Sequence, residues 1–333
     1  MNELVLVTGG DGFLGTNIVR ELLSREYAVR ILTEPGREPL TLAGLAVDVV
    51  HGDIRNADQV AAAAQGCDYI IHTAASTSIW PPRSTFLTEI NIEGTRNVLE
   101  AAKAAGVTRL IHVGSANSFG YGTKDAPGNE TLPYACAHYG LGYMDTKYEA
   151  HSLVLDSVRT MELPAIVVAP TFMLGPYDTK PGSGKMILSV AHGEVPGYTV
   201  GGRCYIYVKD VAIGIANALT QGEVGECYIF GNENLSYREI FSLMARVAGV
   251  RAPALKVPGS ISRVAGAFGS FFGGVFGFEP KISLPMARIS TDDHYYTAAK
   301  AIRELSLPQT SIEAAVEDAY QWFRDNDYVK VRK

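Results

Sequence analysis

Short, continuous apolar runs alternate with stretches of helical periodicity through the first half of the chain. The runs predict six strands, at residues 4–7, 28–33, 47–51, 69–73, 109–114 and 165–169. Apolar residues that recur every three or four positions predict helices over residues 14–24 and 92–105, and a third helix after Gly142. Strands this apolar are typical of parallel sheets that are covered on both faces. We therefore expect an α/β fold, a doubly wound parallel sheet with helices on both faces.

The pattern changes after Pro170. Proline and glycine become frequent, and short strands mix with helices. We expect residues 1–170 to form the sheet domain and residues 171–333 to form a smaller, C-terminal substrate-binding region. Residues 227–230 are apolar enough to return to the sheet as a further strand.

Composition and charge exclude several classes of function. The 29 Lys and Arg residues against 35 Asp and Glu residues give a net charge of −6, without the clustered cations that nucleic-acid binding needs. The four cysteines are scattered and form no C-x-x-C pair, so we expect no metal site and no disulfide framework. The N-terminus lacks the basic and apolar regions of a signal peptide, which favours a cytoplasmic location.

One uncharged segment, residues 264–278, is rich in glycine and phenylalanine. It is shorter than the roughly 20 residues that a membrane-spanning helix requires. We interpret it as a buried or pocket-covering segment. Contact with a membrane surface is the less favoured alternative.

A glycine-rich turn follows the first predicted strand. Gly10, Gly12 and Gly15 have the spacing G-x-G-x-x-G, Gly9 precedes them, and a predicted helix follows. Glycines permit a tight turn and the close approach of a pyrophosphate, while the helix N-terminus offers N–H groups and a positive dipole end. In this strand–turn–helix context the motif predicts a Rossmann-like dinucleotide site.

An acidic residue in the right place favours NAD as the cofactor. Glu34 ends the second predicted strand, 19 residues beyond Gly15. A carboxylate there bonds the ribose hydroxyls of NAD and repels the 2′-phosphate of NADP. Arg37 in the same loop is able to reach a phosphate, so NADP stays an alternative. Glu34 as a solvated loop acid is the other alternative.

A Tyr-x-x-x-Lys pair is the candidate catalytic centre. Tyr143 and Lys147 are four residues apart on a predicted helix, which places both side chains on one face. An ammonium beside a phenol is expected to lower the tyrosine pKa and make it a usable acid and base for alcohol–carbonyl interconversion. Ser115 ends a predicted strand at the same sheet edge, where its hydroxyl is able to hold the substrate oxygen. Ser118 is the rival serine.

Together these motifs resemble the extended short-chain dehydrogenase/reductase family over nearly the whole chain. Within that family the chain is most similar to the dihydroflavonol-reductase-like branch, which includes 3β-hydroxysteroid dehydrogenases and hopanoid-associated epimerase-like proteins. The matching landmarks are the glycine turn, Asp53-Ile54, His72-Thr73-Ala74-Ala75, Ser78-Ile79-Trp80, residues 91–97, Ser115, Tyr143 with Lys147, Ala169-Pro170-Thr171, residues 207–211 and residues 295–305.

The resemblance implies a role for each matching residue. Ser115 polarises the carbonyl, Tyr143 is the general acid and base, and Lys147 also bonds the nicotinamide ribose. The residues implied to surround the cofactor are Gly9, Gly12, Phe13, Leu14, Gly15, Glu34, Asp53, Ile54, Thr73, Ala74, Ala75 and Pro170.

Departures from the family pattern narrow the reaction. Family members that dehydrate sugar nucleotides place an acid just after the serine, whereas this chain has Ala116 and Asn117, so dehydration is not expected. Arg203 stands where epimerases grip a nucleotide diphosphate, but the later Arg-x-Gly-Asp of many epimerases is missing. The candidate substrate residues are mainly aromatic or apolar, which suits a hydrophobic carbonyl compound; they are Trp80, Asn117, Tyr139, Phe172, Met173 and Arg203.

The sequence thus favours an NAD(P)-dependent reductase or dehydrogenase that acts on a medium-sized apolar substrate. Two alternatives stay open: a sugar-nucleotide epimerase that oxidises its substrate transiently, and a dinucleotide-sensing protein without turnover. A homodimer is compatible with the sequence but is not indicated by any motif.

Overall fold

The computed structural model describes residues 2–329, which form a large parallel sheet, a smaller mixed sheet and the helices around them. The strands are β1 Leu4–Thr8, β2 Ala28–Thr33, β3 Val47–His51, β4 Tyr69–His72, β5 Arg109–Val113, β6 Ala165–Pro170, β7 Phe172–Leu174, β8 Gly197–Tyr198, β9 Gly202–Tyr207, β10 Cys227–Phe230, β11 Glu233–Ser236, β12 Leu255–Lys256 and β13 Asp293–His294. The helices are α1 Phe13–Ser24, α2 Ala57–Ala64, α3 Thr85–Thr88, α4 Gly94–Ala105, α5 Gly142–Thr160, α6 Lys185–Ala191, α7 Val208–Ala218, α8 Tyr237–Ala248, α9 Gly259–Phe276, α10 Leu284–Ile289, α11 Ala299–Leu305 and α12 Ile312–Asp325.

The large sheet has seven parallel strands in the order β3-β2-β1-β4-β5-β6-β10. The predicted α/β fold is therefore confirmed, and each predicted strand agrees with an observed one to within one residue at either end. The direction of winding reverses between β1 and β4. In sheets of this kind the ligand crevice lies beyond the carboxyl ends of the strands at that reversal.

Two apolar layers cover the sheet. The layer that includes Val5, Ile31 and Val168 packs against α1 and α7, and the layer that includes Leu6, Ile70 and Val167 packs against α2, α4 and α5. Since successive side chains of a strand point to opposite faces, strands buried on both sides need apolar residues at every position. That requirement is the reason the sequence shows continuous apolar runs instead of alternation.

The second half of the chain builds a smaller unit and also returns to the large sheet. Strands β7, β9, β11 and β13 form the mixed sheet, and α8 and α12 pack around Tyr205 beside it. Strand β10 joins the edge of the large sheet, as predicted, and α7 packs against α1. The division into residues 1–170 and 171–333 stays a prediction.

The segment of residues 264–278 lies in α9 and the residues after it. Its small residues Gly266 and Gly273 are buried, but Phe268, Phe271 and Phe276 are exposed at 61%, 65% and 70%. The prediction of a buried segment is therefore wrong for the face that carries the phenylalanines. Within residues 2–329, no helix combines the length and apolarity that a bilayer crossing requires.

Candidate active site

The glycine turn lies between β1 and α1, at the crevice where the sheet reverses. Gly9 has a φ of +69°, which L-residues with side chains rarely adopt. A Cβ at Gly15 would lie 2.1 Å from the Gly9 carbonyl oxygen, and a Cβ at Gly9 would lie 2.9 Å from the Ala74 Cα. The turn therefore excludes side chains and keeps its backbone open to a ligand.

The N-terminus of α1 suits an anionic group. Gly12 precedes the helix without a side-chain cap, and the first turn contains no acidic residue. The first N–H groups of a helix lack intrahelical partners, and the helix dipole makes this end positive. A pyrophosphate fits both features, so the residues present match the dinucleotide that the glycine motif predicts.

A carboxylate and a guanidinium lie together after β2. Glu34 is exposed, and its Oε2 is 3.7 Å from Nη1 of Arg37. Arg37 also pairs through Nε with the buried carboxylate of Asp11, which belongs to the glycine turn. The loop thus holds both the residue that favours NAD and the cation that would favour NADP.

The residues expected around adenine and the ribose lie along the neighbouring strand ends. The Thr73 hydroxyl donates to the Thr8 carbonyl at 3.0 Å, and Ala74 packs against Gly9, so both border the turn. Ile54 is buried. The pKa of Asp53 is lowered by its hydrogen bonds from Arg55, which occupy that carboxylate. Their contacts with a cofactor stay predictions.

Ser115, Tyr143 and Lys147 meet at the same edge of the sheet. Ser115 lies two residues after the end of β5, whereas Tyr143 and Lys147 lie in the first two turns of α5. The Ser115 hydroxyl lies close enough to the Tyr143 phenol to lower its pKa, and the buried Lys147 ammonium donates to the Val113 carbonyl at 2.7 Å. The structure therefore brings together the three residues that the sequence singles out for catalysis.

The pKa of Tyr143 does not follow the sequence prediction. Burial raises it, while the neighbouring Ser115 hydroxyl and the positive charge of Arg203 oppose that rise only in part. Lys147 is not among the groups that lower it, and its ammonium donates to the Val113 carbonyl. The expectation that Lys147 lowers the tyrosine pKa is therefore wrong for this structure. A phenol with a raised pKa is protonated at neutral pH and is suited to proton donation.

Burial lowers the pKa of Lys147 from 10.5 to about 8. Its charge also faces three buried histidines, which sequence analysis does not single out as a group. Desolvation, followed by the charge of Lys147, lowers the pKa of His72 to about 3, that of His112 well below its usual value and that of His151 to about 4. The three imidazoles are therefore neutral at pH 7 and give Lys147 no negative partner.

Replacing Lys147 by Met is expected to raise the free energy of unfolding at pH 7 by about 1–3 kcal/mol. The lowering of the Lys147 pKa from 10.5 to about 8 corresponds to a destabilisation of roughly 3 kcal/mol by the buried charge, which the variant removes. Loss of the hydrogen bond to the Val113 carbonyl offsets about 1 kcal/mol of this gain in stability. Because the pKa of Lys147 is lower in the folded protein than in the unfolded chain, the destabilisation caused by its charge is absent above pH 10.5. It grows as the pH falls and is complete below pH 8. Chemical denaturation of the natural protein and the variant at pH 7 and pH 10 measures this difference in the free energy of unfolding.

The matched control for Lys147→Met is Lys180→Met, since the Lys180 side chain is exposed. That variant is expected to change stability by less than about 0.5 kcal/mol at either pH. A destabilised Lys147→Met protein at pH 7 would show that the ammonium is held favourably and that the lowered pKa is wrong.

Arg203 lies on β9 and faces the catalytic residues. Its Nε donates to the Tyr237 hydroxyl at 2.9 Å, and its guanidinium is 5.3 Å from the centre of the Phe172 ring. Burial raises the pKa values of Tyr143 and Cys136, and the charge of Arg203 opposes part of each rise, which places the cation close to Ser115 and Tyr143. Tyr237 is a neighbour that sequence reasoning missed, because only the pairing of β11 with β9 brings it there.

The Tyr139 hydroxyl belongs to an internal polar network. It donates to Asp292 at 2.5 Å and lies 3.0 Å from Nε2 of His294 and 2.9 Å from the Tyr121 hydroxyl. Tyr139 also lines a cavity of about 400 Å³ with His138, Arg263, Leu284, Arg288 and Asp292. No motif predicts Asp292 or His294, which come from a segment more than 150 residues away.

The other candidate substrate residues are partly exposed. Asn117 follows Ser115 and donates its backbone N–H to the serine oxygen at 3.3 Å, Met173 is on β7 beside Phe172, and Trp80 contacts α9 near Gly273. Pro170 ends β6 at the same edge of the sheet. Within residues 2–329, no group of three or more His, Cys, Asp or Glu side chains is arranged to hold a metal.

Comparisons with known proteins agree with this geometry. Residues 5–231 match the NAD dependent epimerase/dehydratase family. A putative dihydroflavonol 4-reductase of Synechocystis is 32% identical over 100% of this chain and 98% of its own length. Sterol demethylase protein B of Methylococcus capsulatus is 30% identical over 97% and 99%. The crystal structure of gox2253 has a TM-score of 0.87 and 34% identity, over 99% of this chain and 100% of that one.

Proposed function

The chain belongs to the NAD-dependent epimerase/dehydratase family, as an enzyme of the extended short-chain dehydrogenase/reductase type, and we propose that it is a carbonyl reductase for medium-sized apolar substrates. The family and the relatives support NAD-dependent oxidoreduction or epimerisation with a nicotinamide dinucleotide and a small-molecule substrate. The observation that carries the proposal is the proximity of Ser115 and Tyr143 at the sheet edge where the buried Lys147 bonds the Val113 carbonyl.

The residues of the site divide the chemistry between them. The bound cofactor supplies the hydride. The Tyr143 phenol, whose pKa is raised by burial, gives its proton to the carbonyl oxygen of the substrate. The Ser115 hydroxyl donates a hydrogen bond to the same oxygen, and this bond strengthens as negative charge develops there. Lys147 holds the first turns of α5 against β5 by its hydrogen bond to the Val113 carbonyl. The resemblance to the family implies that Lys147 also bonds the nicotinamide ribose.

Two features support an apolar carbonyl compound as the substrate. Most of the candidate substrate residues, among them Phe172 and Met173, are aromatic or apolar and partly exposed, and no carboxylate follows Ser115 that would assist an elimination. Two of the relatives are described as a putative dihydroflavonol 4-reductase and as sterol demethylase protein B, and the second name denotes an apolar ring system.

Arg203 favours a second candidate function, sugar-nucleotide epimerisation. Its guanidinium is half-buried, and its charge opposes the rise of the Tyr143 pKa. The guanidinium is therefore placed to hold an anionic diphosphate near the site. The same cation also stacks near Phe172 and bonds Tyr237, which accounts for its burial without any anion. For that reason we rank the reductase first.

A substrate screen distinguishes the two functions. Oxidation of NADH and NADPH is followed at 340 nm with apolar ketones, flavanonols and sterol ketones, and epimerisation of UDP-sugars is followed in parallel by chromatography. We expect turnover with an apolar ketone and none with UDP-sugars. Epimerisation of a UDP-sugar without net cofactor consumption would overturn the reductase assignment in favour of the second candidate.

NADH is expected to bind about tenfold more tightly than NADPH. The Glu34 carboxylate repels a 2′-phosphate, and like charges at close range cost on the order of 1 kcal/mol near a surface. Glu34→Ala is expected to narrow this gap, because it removes the repulsion and frees Arg37 from its carboxylate 3.7 Å away. Fluorescence titration with both cofactors measures the two affinities.

The control for Glu34→Ala is Glu38→Ala, which removes an exposed carboxylate from the same loop. It is expected to leave the ratio of the two affinities unchanged. Equal binding of NADH and NADPH to the natural protein would mean that Arg37 outweighs Glu34, and our preference for NAD would then be incorrect.

A further inference from the structure

Helix α9 packs against the protein through its small residues and presents its large apolar residues outwards. Its inner side is formed by Ser262, Gly266, Gly269 and Gly273, spaced four, three and four residues apart. A Cβ at Gly269 would lie 2.2 Å from the Ile282 carbonyl oxygen, and one at Gly266 would lie 2.8 Å from the Ala287 Cβ. The helix therefore approaches the segment of residues 282–287 so closely that only glycine fits.

The outer side of α9 is a continuous apolar face. Seven of its large apolar residues are between 43% and 70% exposed; they are Ile261, Val264, Phe268, Phe271, Phe272, Val275 and Phe276. At 100° per residue these side chains cover an arc of about 140°, and they extend along about 22 Å of the helix axis. Soluble proteins rarely expose an apolar face of this extent unless it contacts a partner or a membrane.

Positive charges are concentrated in the segment of the chain that contains α9. The segment of residues 251–288 contains five cations and one anion, a net charge of +4 in a chain whose total charge is −6. The five cations are all exposed, and none pairs with a carboxylate among residues 2–329. They are Arg251, Lys256, Arg263, Lys281 and Arg288.

We propose that this face of α9 docks onto an anionic lipid surface, with the helix lying in the plane of the headgroups. An apolar arc accompanied by cations has the composition of an interfacial amphipathic helix, which buries its apolar side chains between the acyl chains and holds its cations at the phosphates. Attraction to anionic lipid falls off within a Debye length, so the cations must lie close to the surface. Arg263 meets this condition because it is exposed on α9 itself.

The charge pattern also argues against a second copy of the chain as the occupant. In a two-fold symmetric dimer the same patch would face itself, so two segments of +4 would be brought together. Lipid phosphates are complementary to that charge. Arg263 and Arg288 also line the cavity beside Tyr139, so docking would bring that cavity close to the lipid. The proposal does not depend on the assigned reaction.

Vesicle flotation tests the proposal with the purified full-length protein. We expect binding to vesicles made of equal parts phosphatidylcholine and phosphatidylglycerol, and binding at least about tenfold weaker to phosphatidylcholine alone. High salt is expected to weaken the first interaction. Phe271→Ser combined with Phe276→Ser is expected to weaken binding at least about tenfold, because both side chains are mostly exposed before docking and buried after it.

Two further variants make the result specific. Leu40→Ser combined with Val224→Ser removes two exposed apolar side chains outside α9 and is expected to leave vesicle binding unchanged. Arg263→Gln, Lys281→Gln and Arg288→Gln together are expected to abolish the preference for phosphatidylglycerol. Thermal unfolding and NADH affinity check that each variant is folded. The charge variant tests the proposal even if the phenylalanine variant does not fold, since it alters exposed side chains only.

Three results would overturn the proposal. The first is no binding to either kind of vesicle. The second is an equal loss of binding in the α9 variant and in the Leu40/Val224 control. The third is a dimer, seen by analytical ultracentrifugation, that Phe271→Ser with Phe276→Ser dissociates while vesicles capture neither protein, which would identify the occupant as a second copy of the chain.

Discussion

Tyr143→Phe is expected to lower kcat for carbonyl reduction by about 100- to 10,000-fold and to leave NADH affinity nearly unchanged. The substitution removes the phenolic oxygen that donates the proton and keeps the ring in its place at the start of α5. General acid–base groups typically contribute a factor of about this size to the rate. Steady-state kinetics with the ketone found by the screen gives kcat, and a fluorescence titration gives the cofactor affinity.

The control for this prediction is Tyr148→Phe. Tyr148 is on the same helix, is 40% exposed and stacks on Tyr134 with 4.4 Å between the ring centres, a contact that does not need its hydroxyl. We expect kcat to change less than about twofold. If Tyr143→Phe retained full turnover, the proton donor would have to be another group, with His138 and Tyr139 the first to test.

Gly15→Ala is expected to weaken NADH binding at least about tenfold and to lower the free energy of unfolding by about 1–3 kcal/mol. The added Cβ would lie 2.1 Å from the Gly9 carbonyl oxygen and 2.7 Å from the Gly10 Cα, so the turn must move away from α1. Overpacking against backbone costs this much because no flexible side chain is able to yield. The movement also displaces the N–H groups that meet the pyrophosphate.

Isothermal titration with NADH and denaturant unfolding measure the two effects of Gly15→Ala. Gly182→Ala is the matched control, because a Cβ at Gly182 would meet no atom within 4 Å and its φ is not positive. We expect it to change neither quantity measurably. An unchanged NADH affinity in Gly15→Ala would mean that the pyrophosphate does not lie at this turn.

Local sequence patterns were sufficient to predict the sheet and the position of the candidate catalytic residues. Buried parallel strands require apolar residues on both faces, so their limits are visible as short apolar runs such as residues 28–33 and 47–51. The strand–glycine–helix order around Gly9 and Gly15 predicts the cofactor turn for a similar reason. These features depend on residues that are adjacent in the chain.

The electrostatics of the site did not follow from residue spacing. A spacing of four residues correctly places Tyr143 and Lys147 on one side of α5, but it does not reveal which acceptor the ammonium chooses. The Val113 carbonyl is the acceptor for the Lys147 ammonium. The largest effect on the pKa of Tyr143 comes from burial, which raises it, and not from the lysine. Both facts depend on how α5 lies against β5, which is a property of the packed protein.

The segment of residues 264–278 is a second feature that the sequence alone did not predict correctly. Its apolar composition predicts burial, because in an isolated sequence phenylalanine indicates the core more often than the surface. In the folded protein the space beneath α9 admits only glycine and serine, and the phenylalanines are left on the outer face. Composition and periodicity therefore decided which elements form and where the glycine turn lies. Only the tertiary structure decided which face of α9 meets the protein and which partner holds the Lys147 ammonium, since both depend on contacts between segments far apart in the chain.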